Sequence, residues 1–318
     1  MRARILHTQA IEVSNWQIDD EFGGTYPEGA RSKDALFPPE ELGLAFIIPA
    51  RRYLFKRAMD RPNYPDQFWA EIVTYHAGCL LGVEVPPAFA AHNQKDGTCG
   101  ALIEWFYDDG SALYVPGGDY MLKIMPDFDR KKGKQHNFHS IKVLCRAFSS
   151  MGSFTENWMQ YWGEVFLFDA LIGNTDRHQD NWGVLFYYNQ ENQAVCKFSP
   201  LFDNGTSMGH ERFPNRLIKW NTDEYLKYIN KGKHHVKLDK TSPKGAGHFE
   251  LVTLLANGNA DLKIHLYHMI NAFSLEALRH TLTSLENIEL PIKLSRERSN
   301  LYYELIALRR SILLAELS

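Results

Sequence analysis

The stretch from Phe168 to Gly183 constrains the fold of this chain more than any other part of its sequence. An apolar run with helical spacing stops at Gly173, and a polar loop leads from there into an apolar strand. Glycine after the last apolar position is the residue that most often ends a helix. The loop carries Asp176 and, five residues later, Asn181. The sequence therefore predicts two polar side chains on a short loop between two buried elements.

A second polar group follows the second of the two strand-like runs after this loop. The strand-like run 194–198 leads into Asp203-Asn204-Gly205. Polar residues and glycine directly after an apolar run are typical of a turn at the end of a hairpin. The simplest interpretation is therefore a polar hairpin loop with no chemical role. Two such loops in succession, each next to an apolar strand, favour a second interpretation.

Phosphoryl transfer explains the order of these residues. In protein kinases a catalytic Asp accepts the proton of the attacking hydroxyl, and an Asn five residues later binds magnesium. A separate Asp then binds the magnesium that bridges the phosphates. The same order here predicts Asp176 as the base, with Asn181 and Asp203 as magnesium ligands. Such catalysis needs few side chains, since it rests on positioning and charge neutralisation.

Composition sets broad limits on the class of protein. The chain has 318 residues, of which 44% are hydrophobic and 13% aromatic, enough for one large or two modest domains. Its formal net charge is −3, whereas chains built to hold nucleic acid are usually strongly basic. We therefore expect a folded protein that does not bind nucleic acid directly.

Cysteine usage and the absence of long apolar runs predict where the chain works. The four cysteines are far apart, without Cys-x-x-Cys spacing, and each has apolar neighbours, which indicates buried thiols in a reducing compartment. No basic-then-apolar leader opens the sequence, and no run is long enough to span a membrane. The expectation is a soluble, cytoplasmic protein without a membrane partner.

The N-terminal part predicts a strand followed by a helix that bears an acidic residue. Strands are predicted at 4–18, 45–48 and 52–56, and a helix over 65–81. Alternation in the third strand puts Lys56 on the face opposite Tyr53 and Phe55. Glu71 lies on the helix that follows, in the order in which a kinase pairs its lysine with a glutamate. The alternative is that both side chains are simply solvated.

A hinge between two lobes is predicted near residues 107–111. Strands at 83–90 and 101–106 come before it, and the second ends in Glu104-Trp105-Phe106. An acidic turn follows this strand. The predicted division is an N-lobe of residues 1–108 and a mainly helical C-lobe of residues 109–318.

Beyond the hinge the sequence becomes helical. Apolar periodicity predicts helices at 139–148, 156–172, 249–256, 264–273, 275–285 and 295–317, with an irregular polar stretch over 205–246. Two segments are basic. The first, 130–134, is interpreted as a solvated loop, and the second, 231–244, lies in the irregular stretch with its role left open. The pairs His136-x-x-His139 and His265-x-x-His268 have a spacing that suits metal, but no third ligand lies nearby. Both pairs are therefore interpreted as structural.

Several short motifs together resemble the HipA-like serine/threonine kinases, a group that includes toxin kinases of bacterial toxin–antitoxin systems. The resemblance covers about residues 22–210, and its most specific piece is Asn-Thr-Asp-Arg-His-x-x-Asn at 174–181. The other pieces are Gly-Ala-Arg-Ser-Lys at 29–33, Tyr-Leu-Phe-Lys at 53–56, Trp-Ala-Glu at 69–71, Leu-Ile-Glu-Trp-Phe at 102–106 and Pro-Leu-Phe-Asp-Asn-Gly at 200–205. The resemblance implies an α+β, bilobal protein-kinase-like fold with a β-rich N-lobe and a mainly helical C-lobe. The fold of phosphatidylinositol 4-kinases is also similar.

The resemblance implies a role for each matching residue. It implies that Asp176 is the catalytic base and that His178 braces its loop, with Asn181 and Asp203 on Mg²⁺. For ATP it implies phosphate contacts from Lys56, with Glu71 as its partner, adenine contacts from Glu104, Trp105 and Phe106, and a glycine loop comprising Gly29, Ala30, Arg31 and Ser32. Ser32 is the nearest candidate for the regulatory serine that this loop often carries in the family.

The expected function is ATP- and Mg²⁺-dependent transfer of a phosphoryl group to serine or threonine of a protein substrate. The chain reaches its glycine loop early, so it is expected to be a short, stand-alone kinase core. The resemblance leaves open a role as a toxin with a separate antitoxin chain. The alternatives are a small-molecule or phosphoinositide-type lipid kinase and a nucleotide-binding pseudokinase scaffold. A scaffold has no need of Lys56, Asp176, Asn181 and Asp203 together, which argues against the last alternative.

Overall fold

A computed structural model describes residues 3–20, 33–59, 64–107, 110–213 and 220–318. The chain forms two compact units, each built from three segments. The first unit comprises Met1–Phe106, Gly205–Lys219 and Ser274–Glu304. The second unit comprises Tyr107–Asn204, Trp220–Phe273 and Leu305–Ser318.

The first unit is organised around a six-stranded sheet. Its strands are β1 (Ile11–Glu12), β2 (Gln17–Ile18), β3 (Lys33–Phe37), β4 (Tyr53–Arg57), β5 (Ala88–Asn93) and β6 (Thr98–Glu104). Their spatial order is β1-β5-β6-β4-β3-β2, and only the β1–β5 pair is parallel. Large apolar side chains from β4, β5 and β6 form the core of this sheet, among them Tyr53, Phe55, Phe89 and Leu102.

Helix α1 (Phe68–Leu81) is buried on nearly all sides because two layers cover it. It begins after a single 3-10 turn at Pro65–Gln67 and ends at Gly82, whose φ of 90° is left-handed. On one side it contacts β5 and β6, and on the other it contacts α8 (Leu275–Glu286). The indole N–H of Trp69 donates to the carbonyl of Ile292 at 3.0 Å. A helix that is apolar all round requires such a second cover.

The second unit is mainly helical and contains a three-stranded antiparallel sheet. The strands β7 (Ala112–Pro116), β8 (Gly183–Tyr188) and β9 (Ala194–Phe198) pair in that order. The helices are α2 (Gly117–Ile124), α3 (Phe138–Ser149), α4 (Trp158–Ile172), α5 (Thr222–Lys231), α6 (His248–Ala256), α7 (Ala260–Ala272) and the end of α9 (Arg296–Leu317). Helix α4 contacts α3, α6 and α7. Its residues from Val165 to Ile172 are all buried.

Several predicted elements are confirmed, and a few are wrong. The helices predicted at 65–81, 139–148, 156–172, 249–256, 264–273, 275–285 and 295–317 all form, within a few residues of the expected ends. The strand predicted over 4–18 is only β1 and β2, separated by a turn. The strand predicted at 45–48 is absent from the described structure. That run is apolar because Ile47 belongs to the core of the sheet and Phe46 packs against it.

In the described part of the chain, the sequence did not predict four of the elements. They are β3, β7, α2 and α5. Helix α5 lies in the stretch that was predicted to be irregular, although it carries a local start signal. The side chain of Asn221 accepts from the backbone of Glu224, whose carboxylate accepts from the backbone of Asn221 in turn. Such a capping box is readable in a sequence.

The compact units differ from the predicted division at 108–109. The first unit does end one of its segments at Phe106, close to the predicted hinge. It also includes Ser274–Glu304, which the prediction assigned to the C-lobe. Ser274–Glu304 belongs to the first unit because its helix α8 packs against α1. The assignment of residues 1–108 and 109–318 as functional lobes stays a prediction.

The sequence also predicted buried cysteine thiols and no run long enough to span a membrane. All four cysteines are free thiols; Cys99, Cys145 and Cys196 are buried and Cys79 is half-buried. Burial raises the pKa of the Cys145 thiol to about 12. Within the described residues, no helix combines the length and the apolar character that a bilayer span requires.

Candidate active site

Lys56 and Glu71 form a buried ion pair in the first unit. The ammonium Nζ lies 2.6 Å from Glu71 Oε1, and both side chains are about nine-tenths or more buried. The sequence predicted these two residues as partners, and the structure brings them together. The pair joins a strand to a helix, because Lys56 lies on β4 and Glu71 on the first turn of α1. Its role in binding ATP phosphates stays a prediction.

The position of Lys56 follows from the register of the sheet. β4 lies between β3 and β6, with Lys56 opposite Lys33 on one side and Ala101 on the other. At Gly100 the strands approach so closely that an added Cβ would lie 2.1 Å from the carbonyl oxygen of Lys56. Glycine is therefore required there, and the backbone of β4 is held in place.

The predicted adenine-contacting residues lie at the end of β6. Tyr53 of β4 pairs with Glu104. The backbone N–H of Glu104 donates to the carbonyl of Pro87 at 2.8 Å, and that of Trp105 donates to Arg52 at 3.0 Å. The rings of Trp105 and Phe106 are stacked, with centroids 6.1 Å apart. Contact of these three residues with adenine stays a prediction.

The predicted glycine loop lies outside the described residues. This applies to Gly29, Ala30, Arg31 and Ser32. Their roles at the ATP phosphates, and the regulatory role of Ser32, stay predictions. The described chain resumes at Lys33, the first residue of β3.

The loop that carries Asp176 begins where α4 ends. Gly173 adopts a left-handed φ of 69°, and an added Cβ would lie 2.7 Å from the guanidinium of Arg309. The side-chain oxygen of Asn174 then accepts from the backbone N–H of Asp176 at 2.9 Å. This contact is an Asx turn, which fixes the backbone two residues on. The half-buried Asp176 is therefore presented at a defined point of a rigid loop.

Asn181 closes the same loop and presents an oxygen atom that lacks a partner. Its Nδ2 donates to the backbone carbonyl of Asp176 at 2.7 Å. That bond fixes the orientation of the amide. Its Oδ1 is buried and accepts no hydrogen bond from any part of the chain that the structure describes. A buried polar atom without a partner is costly in a native structure and calls for an explanation.

Asp203 lies five residues after the end of β9, in a conformation that is unusual for a non-glycine residue. Its φ is 55°, in the left-handed region. Asp tolerates this region better than most residues, yet such strain tends to persist at functional positions. The side chain is half-buried.

Arg177 connects the two loops and was not among the predicted site residues. Its side chain is fully buried. Nη1 donates to the carbonyl of Phe202 at 2.6 Å, and Nη2 donates to Oδ1 of Asn204 at 2.6 Å. The two residues that flank Asp203 are therefore both held by Arg177. The structure thus brings together the loop of Asp176 and Asn181 with the loop of Asp203, through a residue that need not touch a ligand.

The charge of Arg177 is balanced by Asp169 on α4. The guanidinium donates to both carboxylate oxygens, at 3.0 and 2.7 Å. His234 donates from Nε2 to the same carboxylate at 2.9 Å, since its Nδ1 accepts from the backbone of Val236. Burial alone would raise the pKa of Asp169, but the charge of Arg177 and the hydrogen bonds outweigh it and hold that pKa well below its usual range. The aspartate is therefore ionised inside the unit.

His178 and Asp180 complete the loop. His178 Nδ1 accepts from the backbone N–H of Asp180 at 3.2 Å, so a neutral ring carries its proton on Nε2. The carboxylate of Asp180 accepts from Nε and Nη2 of Arg130 at 3.1 and 2.9 Å. Arg130 also pairs with Asp119. The contact of His178 within the loop fits a bracing role, but its role in catalysis stays a prediction.

The first histidine of one His-x-x-His pair is part of the support behind the loop. His136 is fully buried, and its Nε2 accepts from the indole N–H of Trp182 at 3.1 Å. Its Nδ1 therefore carries the proton and donates to Nδ1 of His235 at 3.2 Å. Burial and the neighbouring histidines keep the pKa of His136 well below its usual range. In the other pair, His265 Nε2 contacts Glu164 at 2.8 Å.

The donor atoms at Asn181 and Asp203 suit magnesium. Mg²⁺ prefers oxygen ligands and is usually held by one or two carboxylates together with substrate phosphates, not by a full protein cage. The unpartnered Oδ1 of Asn181 is an oxygen of the kind that such a site needs. The roles of Asn181 and Asp203 as magnesium ligands stay predictions. The described residues contain no group of three or more His, Cys, Asp or Glu side chains that could hold a metal.

The sequence contains only weak signals for the supporting residues that the prediction missed. Asp169 is the acid in the apolar run from Val165 to Ile172 of α4, and such a charge is almost never buried without a partner. That observation could have pointed to Arg177. Nothing local points to His234, which lies 65 residues away from Asp169. Neither would anything local point to His248, whose Nε2 contacts the carbonyl of Asn174 at 2.7 Å.

Comparison with solved structures defines the class of fold. The chain is similar to CtkA, a proinflammatory kinase of Helicobacter pylori, with a TM-score of 0.69 over 97% of this chain and 96% of that one, at 17% identity. The toxin HipA of Shewanella oneidensis MR-1, solved with HipB and operator DNA, gives a TM-score of 0.49 at 12% identity, over 95% and 67% of the two chains. The golgi casein kinase gives 0.41 at 10% identity, over 97% and 74%. No family model and no curated protein matches the sequence.

The likeness to the Helicobacter kinase confirms the predicted fold class. The chain has a protein-kinase-like fold, with an N-terminal β-sheet followed by a mainly helical C-terminal region. The identity of 17% supports the fold alone. Membership of the HipA-like family therefore stays a prediction.

Proposed function

We propose that this protein is an ATP- and Mg²⁺-dependent kinase that phosphorylates serine or threonine in other proteins. The observation that carries the proposal is the amide of Asn181. Its nitrogen is bound to the loop of Asp176, while its buried oxygen has no partner among the described residues. The strained Asp203, held on both sides by Arg177, supplies a second oxygen donor. The protein-kinase-like fold supports the same reading.

Each residue of the proposed site has its own role in phosphoryl transfer. Asp176 accepts the proton of the acceptor hydroxyl, whose oxygen forms a bond to the γ-phosphorus of ATP. The bond from that phosphorus to the β,γ-bridging oxygen breaks, and ADP leaves. Asn181 Oδ1 and the Asp203 carboxylate would hold Mg²⁺, which neutralises charge on the phosphate oxygens when bound. Lys56, oriented by Glu71, adds a positive charge for the phosphates.

Nucleotide binding is tested by thermal unfolding. ATP is expected to raise the melting temperature in magnesium and much less in EDTA, because a ligand of the folded state stabilises by mass action. Asp203→Ala is expected to remove most of the magnesium-dependent part. Asp261→Ala, an exposed carboxylate on α7, is the matched control and should keep it. An equal shift with and without metal would rule out Asp203 as a ligand.

The chemical step is tested separately from binding. Asp176→Asn is expected to bind ATP normally and to lose phosphoryl transfer by about a hundredfold or more, as for removal of a positioned base. The assay is incubation with labelled ATP and magnesium, with and without cell lysate. Label on protein serine or threonine supports the proposal. Label confined to extractable lipid or small molecules would overturn the choice of acceptor, and full activity of the variant would overturn the choice of base.

The role as toxin of a toxin–antitoxin pair stays a prediction from the resemblance. It is tested by inducing the chain in a bacterial host with and without Asp176→Asn. Growth arrest that requires Asp176 would support a toxic kinase. Equal growth of both strains would remove the toxin role and leave the kinase proposal intact.

A further inference from the structure

The two basic segments of the sequence, 130–134 and 231–244, lie side by side in the second unit. They are about a hundred residues apart in the chain. Asn137 and Lys237 form a parallel β-bridge. The backbone N–H of Phe138 donates to the carbonyl of Lys237 at 2.8 Å, and that of Lys237 donates to His136 at 3.1 Å. The chain just after the first segment is therefore fixed against the middle of the second.

The second basic segment also folds back on itself. The backbone N–H of Ala246 donates to the carbonyl of Val236 at 2.9 Å, and that of His234 donates to Ala246 at 2.9 Å. Neighbouring extended segments lie about 5 Å apart. Lys237 takes part in these bonds, and Lys240 and Lys244 lie in the turn between Val236 and Ala246. Lys131, Lys132 and Lys134 flank Gly133, where an added Cβ would lie 2.7 Å from the ring of His235. We call this group the lysine surface; it comprises Lys131, Lys132, Lys134, Lys237, Lys240 and Lys244.

The charges of the lysine surface are accessible and not internally neutralised. Five of the six lysines are exposed and Lys237 is half-buried. None of the six forms an ion pair with a residue in the described part of the chain. One carboxylate, Asp239, lies in these segments, and two more, Asp127 and Asp129, lie just before the first of them. Asp239 already accepts from Thr241 and Ser242, Asp129 accepts from the backbone of Lys132, and Asp127 precedes the turn. The surface keeps an excess of positive charge.

The lysine surface adjoins the loop that carries the proposed base. Gln179, three residues after Asp176, donates from Nε2 to the carbonyl of Arg130 at 2.5 Å. An added Cβ at Gly133 would lie 2.4 Å from Gln179 and 2.7 Å from His235, so the first basic segment packs directly on the loop. A substrate that brings a hydroxyl to Asp176 would extend over this neighbourhood.

We propose that the lysine surface binds acidic residues that flank the acceptor hydroxyl of a protein substrate. This inference rests on the proposed kinase function and names its substrate class. A local cluster of cations complements a short run of glutamate or aspartate, and such contacts set specificity and association rate. The chain as a whole has a net charge of −3, which opposes a long polyanion or an anionic membrane more than a short acidic segment. An acidic protein segment is therefore the favoured occupant.

The test uses two synthetic peptides and the full chain. Both contain one serine, flanked on both sides by glutamate in one peptide and by glutamine in the other. The wild type is expected to show a higher kcat/KM for the glutamate peptide. In Lys131→Glu/Lys132→Glu/Lys134→Glu the ratio of the two kcat/KM values is expected to fall about tenfold, from three reversed charges each of modest effect. The wild-type ratio should also fall as salt is raised.

The matched control reverses three other lysines of the second unit. Lys123, Lys227 and Lys263 lie on α2, α5 and α7. Their triple glutamate variant has the same net charge as the surface variant and should keep the wild-type ratio. If the ratio of the two kcat/KM values falls equally in both variants, the effect is one of net charge and the lysine surface has no specific role.

A binding assay separates this inference from the proposed function. Fluorescence anisotropy of the labelled glutamate peptide needs no turnover, and the surface variant should bind it about tenfold more weakly than the control variant. If the wild type binds the peptide but transfers no phosphate to any acceptor, the kinase proposal fails. The surface then remains a binding site for acidic peptides, without a role in choosing a phosphate acceptor. If it phosphorylates both peptides equally well, the surface proposal fails. Binding of anionic vesicles or single-stranded DNA, lost in the surface variant without peptide discrimination, would also overturn it.

Discussion

Each unit buries one ion pair at its proposed site, and the two pairs are built differently. In the first unit a lysine meets a glutamate across a strand and a helix, with Nζ and Oε1 2.6 Å apart. In the second unit Arg177 makes a fork of hydrogen bonds to Asp169, Phe202 and Asn204, and one to Asn181. The lysine–glutamate pair holds a single ammonium group in place. The arginine network fixes two loops.

The difference follows from the chemistry of the two cations. A lysine ammonium is compact, and its pKa shifts readily when its surroundings become unfavourable. An arginine guanidinium stays charged and presents five donors in a rigid fork. The first suits a charge that is directed at a ligand, and the second suits a scaffold. The comparison predicts that the second unit tolerates the loss of its carboxylate far less well.

The largest expected effect is therefore on stability in the second unit. Asp169→Ala leaves Arg177 charged and buried, so the free energy of unfolding should fall by roughly 3–5 kcal/mol. Glu71→Ala should cost less, about 1–3 kcal/mol, because Lys56 can lose its proton. Urea denaturation at neutral pH measures both. Equal losses would mean that the two pairs are not energetically distinct.

Replacing both partners by apolar residues should sharpen the contrast. Lys56→Met/Glu71→Leu is expected to stay within about 1 kcal/mol of the wild type, since apolar replacement of a buried pair is often neutral. Asp169→Leu/Arg177→Met should still lose about 3 kcal/mol, because the carbonyl of Phe202 and the side chains of His234 and Asn204 lose partners. The free energy of unfolding is again the measurement. A neutral result for the second double variant would show that the network does not hold the loops.

A buried histidine in each unit predicts a loss of stability in acid. Burial lowers the pKa of His76 to about 3 in the first unit and that of His248 to about 3 in the second. An unfolded histidine takes up a proton below about pH 6.5, so the unfolded state binds more protons over this window. The free energy of unfolding therefore falls as the pH is lowered from 6.5 toward 3, by about 1.4 kcal/mol per pH unit for each histidine.

The two histidines differ in their hydrogen bonds, which separates their variants. Neither ring nitrogen of His76 has a partner among the described residues, whereas His248 Nε2 contacts the carbonyl of Asn174. His76→Phe and His248→Phe should each reduce the acid slope by one proton. Only His248→Phe should also lose about 1 kcal/mol at pH 7. An unchanged slope in either variant would contradict the assignment of that histidine as neutral in the folded state.

The smallest effect concerns the glycines that end α1 and α4. Gly82 and Gly173 have left-handed φ values of 90° and 69°. Nothing lies within 4 Å of an added Cβ at Gly82, so Gly82→Ala should cost only the backbone strain, about 1 kcal/mol. At Gly173 the added atom also meets Arg309, so Gly173→Ala should cost more. Thermal unfolding of both variants tests this order, and a larger loss for Gly82→Ala would reverse it.

Much of the framework was determined by the sequence alone. The apolar periodicity of α1, α4 and α9 and the glycines after the first two predicted those helices, because periodicity and capping are local properties. The order of Asp176, Asn181 and Asp203 predicted two polar loops after buried elements, and the loops are there. The strand-and-helix order predicted Lys56 beside Glu71, which the structure brings together.

The tertiary structure alone decided what supports these residues. Asp169 and His234 meet across 65 residues of chain, and the two basic segments meet across about a hundred. Ser274–Glu304 joins the first unit, although it follows the helices of the second. Local propensity cannot specify such pairings, because a buried charge or an apolar face takes its partner from whatever packing brings near it. The sequence predicts the residues that are proposed to meet a ligand, and the packing of the folded chain determines which residues hold them in place.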